Sequence, residues 1–302
     1  MRLRLKTGKQ AIAYPLASLV IEALGANLTS NLGDASHSRQ TPLCIYDNEH
    51  RFSELDIRGC EMTEGRITRA VQLAEKVLQM ELYNQGLHLA ECERYSQLST
   101  GQKRLNLNLG CGNKLKRGWC NVDMFAREAD FRFDLRENWP FADHAAHLIY
   151  CEHFFEHLEY PIETSHFLQE SLRVLEIGGL LHVGVPGTAW LMRSYGKPQS
   201  YYWSLAKTIW HPASCKTQMQ HINHHFRQEG QHQYAWDTET LIEELKMHGF
   251  ENAARRRWIS DLDSADRRVN SIYVVARKLC DAGDMVPINT PCHANDNVGD
   301  RS

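Results

Sequence analysis

Three groups of residues in this chain carry chemistry by their types and spacing. The first is Gly110-Cys111-Gly112-Asn113, which follows the apolar run Leu105 to Leu109. A strand entering such a loop suits a backbone that turns sharply and approaches a ligand closely, because glycine alone tolerates both demands at little cost. The sixth position of a dinucleotide-binding fingerprint is Leu115 here, which speaks against a nicotinamide or flavin cofactor. Asp123 closes the next apolar segment, where a carboxylate can accept both hydroxyls of a ribose lying across strand tips. Asp134 closes the segment after that and can accept from an adenine amino group. Taken singly, each aspartate equally suits a solvated strand end or a helix cap. Three such features at successive strand ends describe a nucleoside crevice.

The second group is Cys151-Glu152-His153-Phe154-Phe155-Glu156-His157. If this segment begins a helix, His153, Glu156 and His157 stand at i, i+3 and i+4 on one face. That spacing suits a divalent cation, but it suits plain hydrogen-bonded helix residues better, and no metal ligand set is assigned. His153 is expected to line the crevice or act as a general base, with His157 orienting the loop. The third group is His221, His224, His225 and His232 beside Arg227. Its spacing is irregular and no cysteine or acid completes a ligand set, so a polar loop over the site is expected. Trp190, Tyr195, Tyr201, Tyr202, Trp203 and Trp210 precede it. Such aromatic density suits a lid over a ring or sugar, a small packed subdomain, or a mixture of the two.

The elements that must position these groups are legible from about Arg104. Strands are predicted at Leu105 to Leu109, Trp119 to Met124, Phe131 to Leu135, Ala146 to Cys151, Leu180 to Val185, Glu251 to Ile259 and Ser271 to Arg277. Helices are predicted at roughly Ile162 to Glu176, stopped by Gly178-Gly179, and at Thr238 to His248, stopped by Gly249. The alternation of strand, loop and helix predicts an α/β fold with a mostly parallel, Rossmann-like seven-stranded sheet ending in an antiparallel hairpin. Upstream, apolar positions from about Thr63 to Ser96 recur at helical spacing and predict one long helix or a helical hairpin. The expected organisation is therefore a helical or irregular extension over 1–100 and a catalytic domain over 101–279. Residues 187–237 form an insertion or lid, and 280–302 a disordered tail.

Composition narrows the function classes. Lys plus Arg number 34 against 37 Asp plus Glu, a net charge of -3, which provides no broad field for nucleic acid. The nine cysteines form no C-x-x-C pair and predict reduced thiols in a cytoplasmic protein. No window approaches the roughly 18 apolar residues of a membrane span. The basic and apolar start, Arg2 to Ile21, is read as a surface helix rather than a secretory signal because Pro15 interrupts a short run. Cys111 and Cys151 are read as buried thiols rather than redox sensors.

The run Leu105-Asn106-Leu107-Asn108-Leu109-Gly110-Cys111-Gly112, then Asn121-Val122-Asp123, Asp134-Leu135, Leu148-Ile149-Tyr150 and Arg173-Val174-Leu175 before Gly178-Gly179, resembles a class I S-adenosylmethionine-dependent methyltransferase. The resemblance covers about residues 104–278 and is greatest to small-molecule methyltransferases, including bacterial ones that modify sugars or glycan precursors. It implies S-adenosylmethionine as cofactor and methyl transfer to oxygen or nitrogen of a small molecule. By the same resemblance Gly110 and Gly112 pass under the methionine half and Asp123 holds the ribose. Asp134 and the Leu135 backbone hold the adenine, and Asn108, Cys111 and Cys151 complete the cofactor contacts. His153 and His157 are the catalytic candidates. Two departures from the family pattern are Asn108, where an acid is frequent, and Lys114, where a third glycine is frequent. A noncatalytic scaffold that keeps the fold is the second reading, and a nucleic-acid methyltransferase the third.

Overall fold

The structure, a computed structural model, describes residues 43–46, 52–55, 61–98 and 104–280. The expected N-terminal surface helix and the tail from residue 281 lie outside those residues. The chain divides into two compact units, Met1–Tyr83 and Asn84–Ser302. In the first, β1 (Leu43–Tyr46) and β2 (Phe52–Leu55) pair antiparallel, with Leu43 opposite Leu55 and Tyr46 opposite Phe52. The sequence signals neither strand. Helix α1 (Glu61–Leu98) is continuous, so the helical spacing near residues 63–96 resolves as one helix, whose last turns belong to the second unit.

The second unit is built on β3 (Leu105–Leu109), β4 (Cys120–Val122), β5 (Ala146–Glu152), β6 (Leu175–Pro186), β7 (Glu251–Arg256) and β8 (Ser271–Arg277). They form one mixed sheet in the order β4-β3-β5-β6-β8-β7. β4, β3, β5 and β6 run parallel, and β8 runs antiparallel to both β6 and β7. The order reverses between β3 and β5, because the chain steps outward to β4 and then returns to the other side of β3. In open α/β sheets ligands settle at the carboxyl ends of the strands flanking such a reversal.

Helix α2 (Ile162–Val174) places Phe167, Leu168 and Leu172 in the main core with Leu107, Ile149, Leu181 and Val183 of the sheet. It ends two residues earlier than predicted, and Leu175 already belongs to β6. Five helical pieces of the 187–237 insertion follow: α3 (Thr188–Ser194), α4 (Tyr201–Leu205), a π-helical turn (Ala206–Trp210), α5 (Gln218–Arg227) and a 3-10 turn (Gln228–Gly230). Leu191, Tyr202, Trp203 and Ala206 bury one another there, with Trp190 and Trp210 packed against them. Much of the aromatic density is thus spent on a small core. Helix α6 (Thr238–Met247) adds Leu241 and Leu245 to the main core. Among the described residues no helix is long and apolar enough to cross a membrane.

One expectation is corrected. Six strands form the sheet rather than seven, since of Phe131–Leu135 only Phe131 bridges to a strand, at Val122. The reason is competition for backbone N–H groups. Arg132 N donates to the Glu91 carboxylate (3.0 Å) and Asp134 N to His88 Nδ1 (3.2 Å), both on α1. The apolar alternation of this segment is satisfied by rings rather than by a ladder: Phe131 stacks on Phe133 at 5.3 Å and Tyr95 meets both edge-on. No helix connects β3 to β4; residues 110–119 form turns and bends.

Burial also sets a pH limit on the sheet. His182, on β6, is 7% exposed, and burial first, then the nearby Arg256 charge, lowers its pKa to about 4. The unfolded chain binds this proton near pH 6.5, so between pH 6.5 and 4 it holds more protons than the folded chain. Stability should therefore fall as pH drops through that window, by up to about 3 kcal/mol from this group. His182→Gln is expected to flatten the slope of melting temperature against pH between 6.5 and 5, measured by calorimetry.

Candidate functional site

At the carboxyl end of β3 the chain passes through Gly110 (φ 63°) and Gly112 (φ 51°), left-handed conformations that favour glycine. Gly110 has a further constraint. A Cβ there would lie 2.2 Å from Cγ of Phe154, whose ring rests on the loop from the tip of β5. A Cβ on Gly112 would meet nothing within 4 Å. The loop is pinned to β4 by Cys111 N donating to Val122 O (3.1 Å) and by Gly112 N donating to Asp123 Oδ2 (2.8 Å). The other Asp123 oxygen accepts from Phe125 N (2.9 Å) and Ala126 N (2.8 Å). A carboxylate offers about four lone-pair directions, so one remains for a hydroxyl donor.

Asn108 faces the loop rather than a ligand. Its amide donates to Lys114 O (2.9 Å) and to Asn121 Oδ1 (2.8 Å). Asn121 Oδ1 also accepts from Lys116 N (2.7 Å), and its amide donates to Asp130 Oδ2 (2.9 Å). Asn121 and Asp130 are structural residues that reading by motif missed; the Asn121-Val122-Asp123 run was legible, but its first residue drew no role. Asp134, 6% exposed, is spanned by Arg136, with Nε on Oδ1 at 3.0 Å and Nη2 on Oδ2 at 2.7 Å. Burial raises its pKa, but the Arg136 hydrogen bonds outweigh that and hold it below the usual carboxylate range. The Leu135 carbonyl accepts from Trp139 Nε1 (3.2 Å). Cys111 is buried, and burial, then Asp123, pushes its thiol up to about 12. Cys151 lies on β5, fully buried between Leu109 and Val183, and burial raises it well above its ordinary value. Both are thiols at neutral pH, not thiolate nucleophiles.

Beyond β5 the segment does not begin an α-helix. The strand runs through Glu152, the backbone turns at His153 (φ 55°), and Phe155–His157 form a single 3-10 turn. His153, Glu156 and His157 therefore do not share a face. His153 N donates to Gly184 O (2.8 Å), and its Nε2 lies 2.8 Å from Ser271 Oγ. The Ser271 hydroxyl hydrogen goes to Arg267 O (2.5 Å), so Nε2 is the donor and Nδ1 keeps the lone pair. Burial first, then Arg267, lowers the His153 pKa to about 3, which fixes a neutral imidazole but a feeble proton acceptor. Glu152, which the motif reading passed over, is buried and accepts from Tyr273 OH (3.0 Å) and Ser264 Oγ (2.5 Å).

Glu156 and His157 join a distant partner. With His232 they bring one ligand atom each within 4.8 Å of one another. His225, Trp236 and Thr188 share the small cavity beside Glu156 and His232. His221 and His224 lie apart from it, around His211, with ring centroids 5.1 and 5.0 Å from that of His211. A second, more open groove of about 220 Å³ runs beside the glycine loop, lined by Lys114, Lys116 and residues 260–266. Lys114 pairs there with Asp266 at 2.9 Å.

No protein-family model and no curated protein matches the chain. Among solved structures, it is similar to a SAM-dependent methyltransferase from Archaeoglobus fulgidus at 16% identity and TM-score 0.37, over 67% of this chain and 99% of that one. It is similar to a possible histamine N-methyltransferase from Thermotoga maritima at 15% identity and TM-score 0.35, over 68% and 97%. A third is a Haemonchus contortus phosphoethanolamine N-methyltransferase in complex with S-adenosylhomocysteine, at 14% identity and TM-score 0.35, over 63% and 52%.

The two loop glycines should respond differently to a methyl group. Gly112→Ala is expected to lose about 1–2 kcal/mol, the left-handed strain alone. Gly110→Ala adds a clash with Phe154 and should cost at least twice that, measured by urea unfolding. Pairing Gly110→Ala with Phe154→Ala should recover only part of the difference, because the Phe154 Cβ that remains lies 2.5 Å from the new methyl.

Proposed function

We propose that this chain is an S-adenosylmethionine-dependent methyltransferase acting on oxygen or nitrogen of a small molecule. The observation that carries the reading is the link from Gly112 N to Asp123 Oδ2, which joins a left-handed glycine loop to the acidic tip of the neighbouring strand beside the sheet reversal. That juxtaposition fits an adenosyl group: a carboxylate with one acceptor direction left for the ribose, and a loop backbone with no Cβ at Gly112 to block the methionine half. Once bound, the sulfonium supplies an activated methyl, so the protein has to align the acceptor and exclude water.

In this reading Gly110, Cys111 and Gly112 line the cofactor's methionine half and Asp123 holds its ribose. Asn108 acts from beneath by fixing the loop. Cys151 backs Leu109 inside the sheet rather than touching the cofactor. Asp134 shapes the adenine end through its pair with Arg136, and the Leu135 backbone contributes beside it. His153 serves as a neutral acceptor at Nδ1 that orients the nucleophile; its low basicity favours a nitrogen, or a hydroxyl activated elsewhere. His157 orients the segment around residue 231, its Nδ1 donating to Gln231 O (2.9 Å). The groove beside Lys114 and Asp266 is polar and suits a polyhydroxyl acceptor such as a sugar or glycan precursor.

A noncatalytic scaffold is the second reading, and Phe154 favours it, because its ring lies directly on Gly110 where a cofactor would approach. Titration calorimetry with S-adenosylmethionine and S-adenosylhomocysteine separates the two. Saturable binding is expected, weakened at least tenfold, or about 1.4 kcal/mol, in Asp123→Ala. Binding with no transfer of labelled methyl to any fraction of a cell extract would favour the scaffold, and no binding at all would sink both the cofactor and the enzyme.

A further inference from the structure

Glu156 is 3% exposed at its side chain, and neither carboxylate oxygen has a hydrogen-bond partner among the described residues. A buried carboxylate without partners is costly to keep, so its surroundings should name what compensates it. We propose that Glu156, His157 and His232 bind a single divalent transition-metal ion of the zinc class.

The two imidazoles are set for this role. His157 Nδ1 donates to Gln231 O (2.9 Å) and His232 Nδ1 donates to His225 O (2.8 Å). A carbonyl only accepts, so each ring carries its proton on Nδ1 and leaves an Nε2 lone pair free. This is the arrangement by which an outer hydrogen bond fixes the tautomer and direction of a metal-bound histidine. The backbone joins the halves, since the Glu156 carbonyl accepts from Gln233 N (2.9 Å) and Tyr234 N (3.3 Å), the residues that follow His232. The rings of His157 and His232 lie 5.1 Å apart.

The donor set decides the ion. Two imidazole nitrogens and one carboxylate oxygen, with no thiolate, match the His2Glu set of zinc and disfavour calcium or magnesium. Ligands about 2.1 Å from a tetrahedral ion stand roughly 3.4 Å apart, so the present spread of up to 4.8 Å closes by ring rotation of about 1 Å. The adjoining cavity holds about 10 Å³, room for an ion-bound water rather than a substrate. Trp236 Nε1 and His225 Nε2 belong to residues lining that cavity, and both lack partners among the described residues, so both are available to such a water at the fourth position. The set differs from the sequence expectation, in which no metal was assigned and His153 stood beside Glu156 and His157. It stands whether or not the chain transfers methyl groups.

The test uses the full chain, stripped by chelator and equilibrated with Zn²⁺ or Co²⁺ alone. One ion per chain is expected by equilibrium dialysis with elemental analysis, and Co²⁺ should show the visible absorption of a four-coordinate nitrogen and oxygen site. Glu156→Gln and His232→Gln should each weaken binding at least tenfold, with circular dichroism confirming the fold. His232→Cys should retain Co²⁺ and add a thiolate-to-metal band, which a merely unfolded variant would not give. His221→Gln should leave binding unchanged. Failure to retain one ion, absence of the thiolate band, or loss in His221→Gln but not in Glu156→Gln would overturn the assignment.

Discussion

The site depends on how the polar backbone of residues 110–119 is satisfied. A connection between neighbouring parallel strands usually contains a helix that satisfies its own N–H and C=O groups. This one has none, so partners must come from side chains below it. Asn108 and Asn121 supply them for Lys114 and Lys116, Asp123 for Gly112, and Asp130 holds Asn121 in turn. The glycine loop is therefore a polar network laid over the ends of β3 and β4. Its geometry is only as good as those hydrogen bonds.

A second network stiffens the other side. Glu152, at the tip of β5, is held by Tyr273 on β8 and by Ser264 and Arg267 of the preceding connection. That connection is itself anchored by Arg256 and Asp263, a pair 2.6 Å apart that is almost fully enclosed. Losing one member of such a pair strands the other without water, so it works as a fixed joint. Phe154 and His153 leave the sheet between these two networks, which is why their positions are set by Gly110 on one side and Ser271 on the other.

Much of the frame was legible because local pattern and tertiary role agree. Leu105–Leu109 is the predicted strand, Ala146–Glu152 is longer than predicted by one residue, and α2 and α6 fall where their apolar faces put them, with Gly249 just past the end of α6 while Gly178-Gly179 lies within β6 rather than stopping α2. The segment Phe131–Leu135 misled because alternating apolar residues record burial, not what buries them; here α1 supplies both the rings and the hydrogen-bond partners. The residues after β5 misled for another reason. Spacing of i, i+3 and i+4 has meaning only on a helix, and the left-handed turn at His153 breaks the helical register before Glu156. The partner of Glu156, His232, lies 76 residues further on in the chain, beyond any periodicity argument.

The missing helix after β3 has an electrostatic corollary. A helix starting there would aim its macrodipole, roughly half a positive charge, at the crevice and hold it there permanently. Here the potential at the mouth is left to mobile ions and to individual side chains such as Lys114 and Asp266. A field built from replaceable charges can be inverted by exchanging one residue, so the polarity of this mouth is a surface property, open to redesign without touching the sheet.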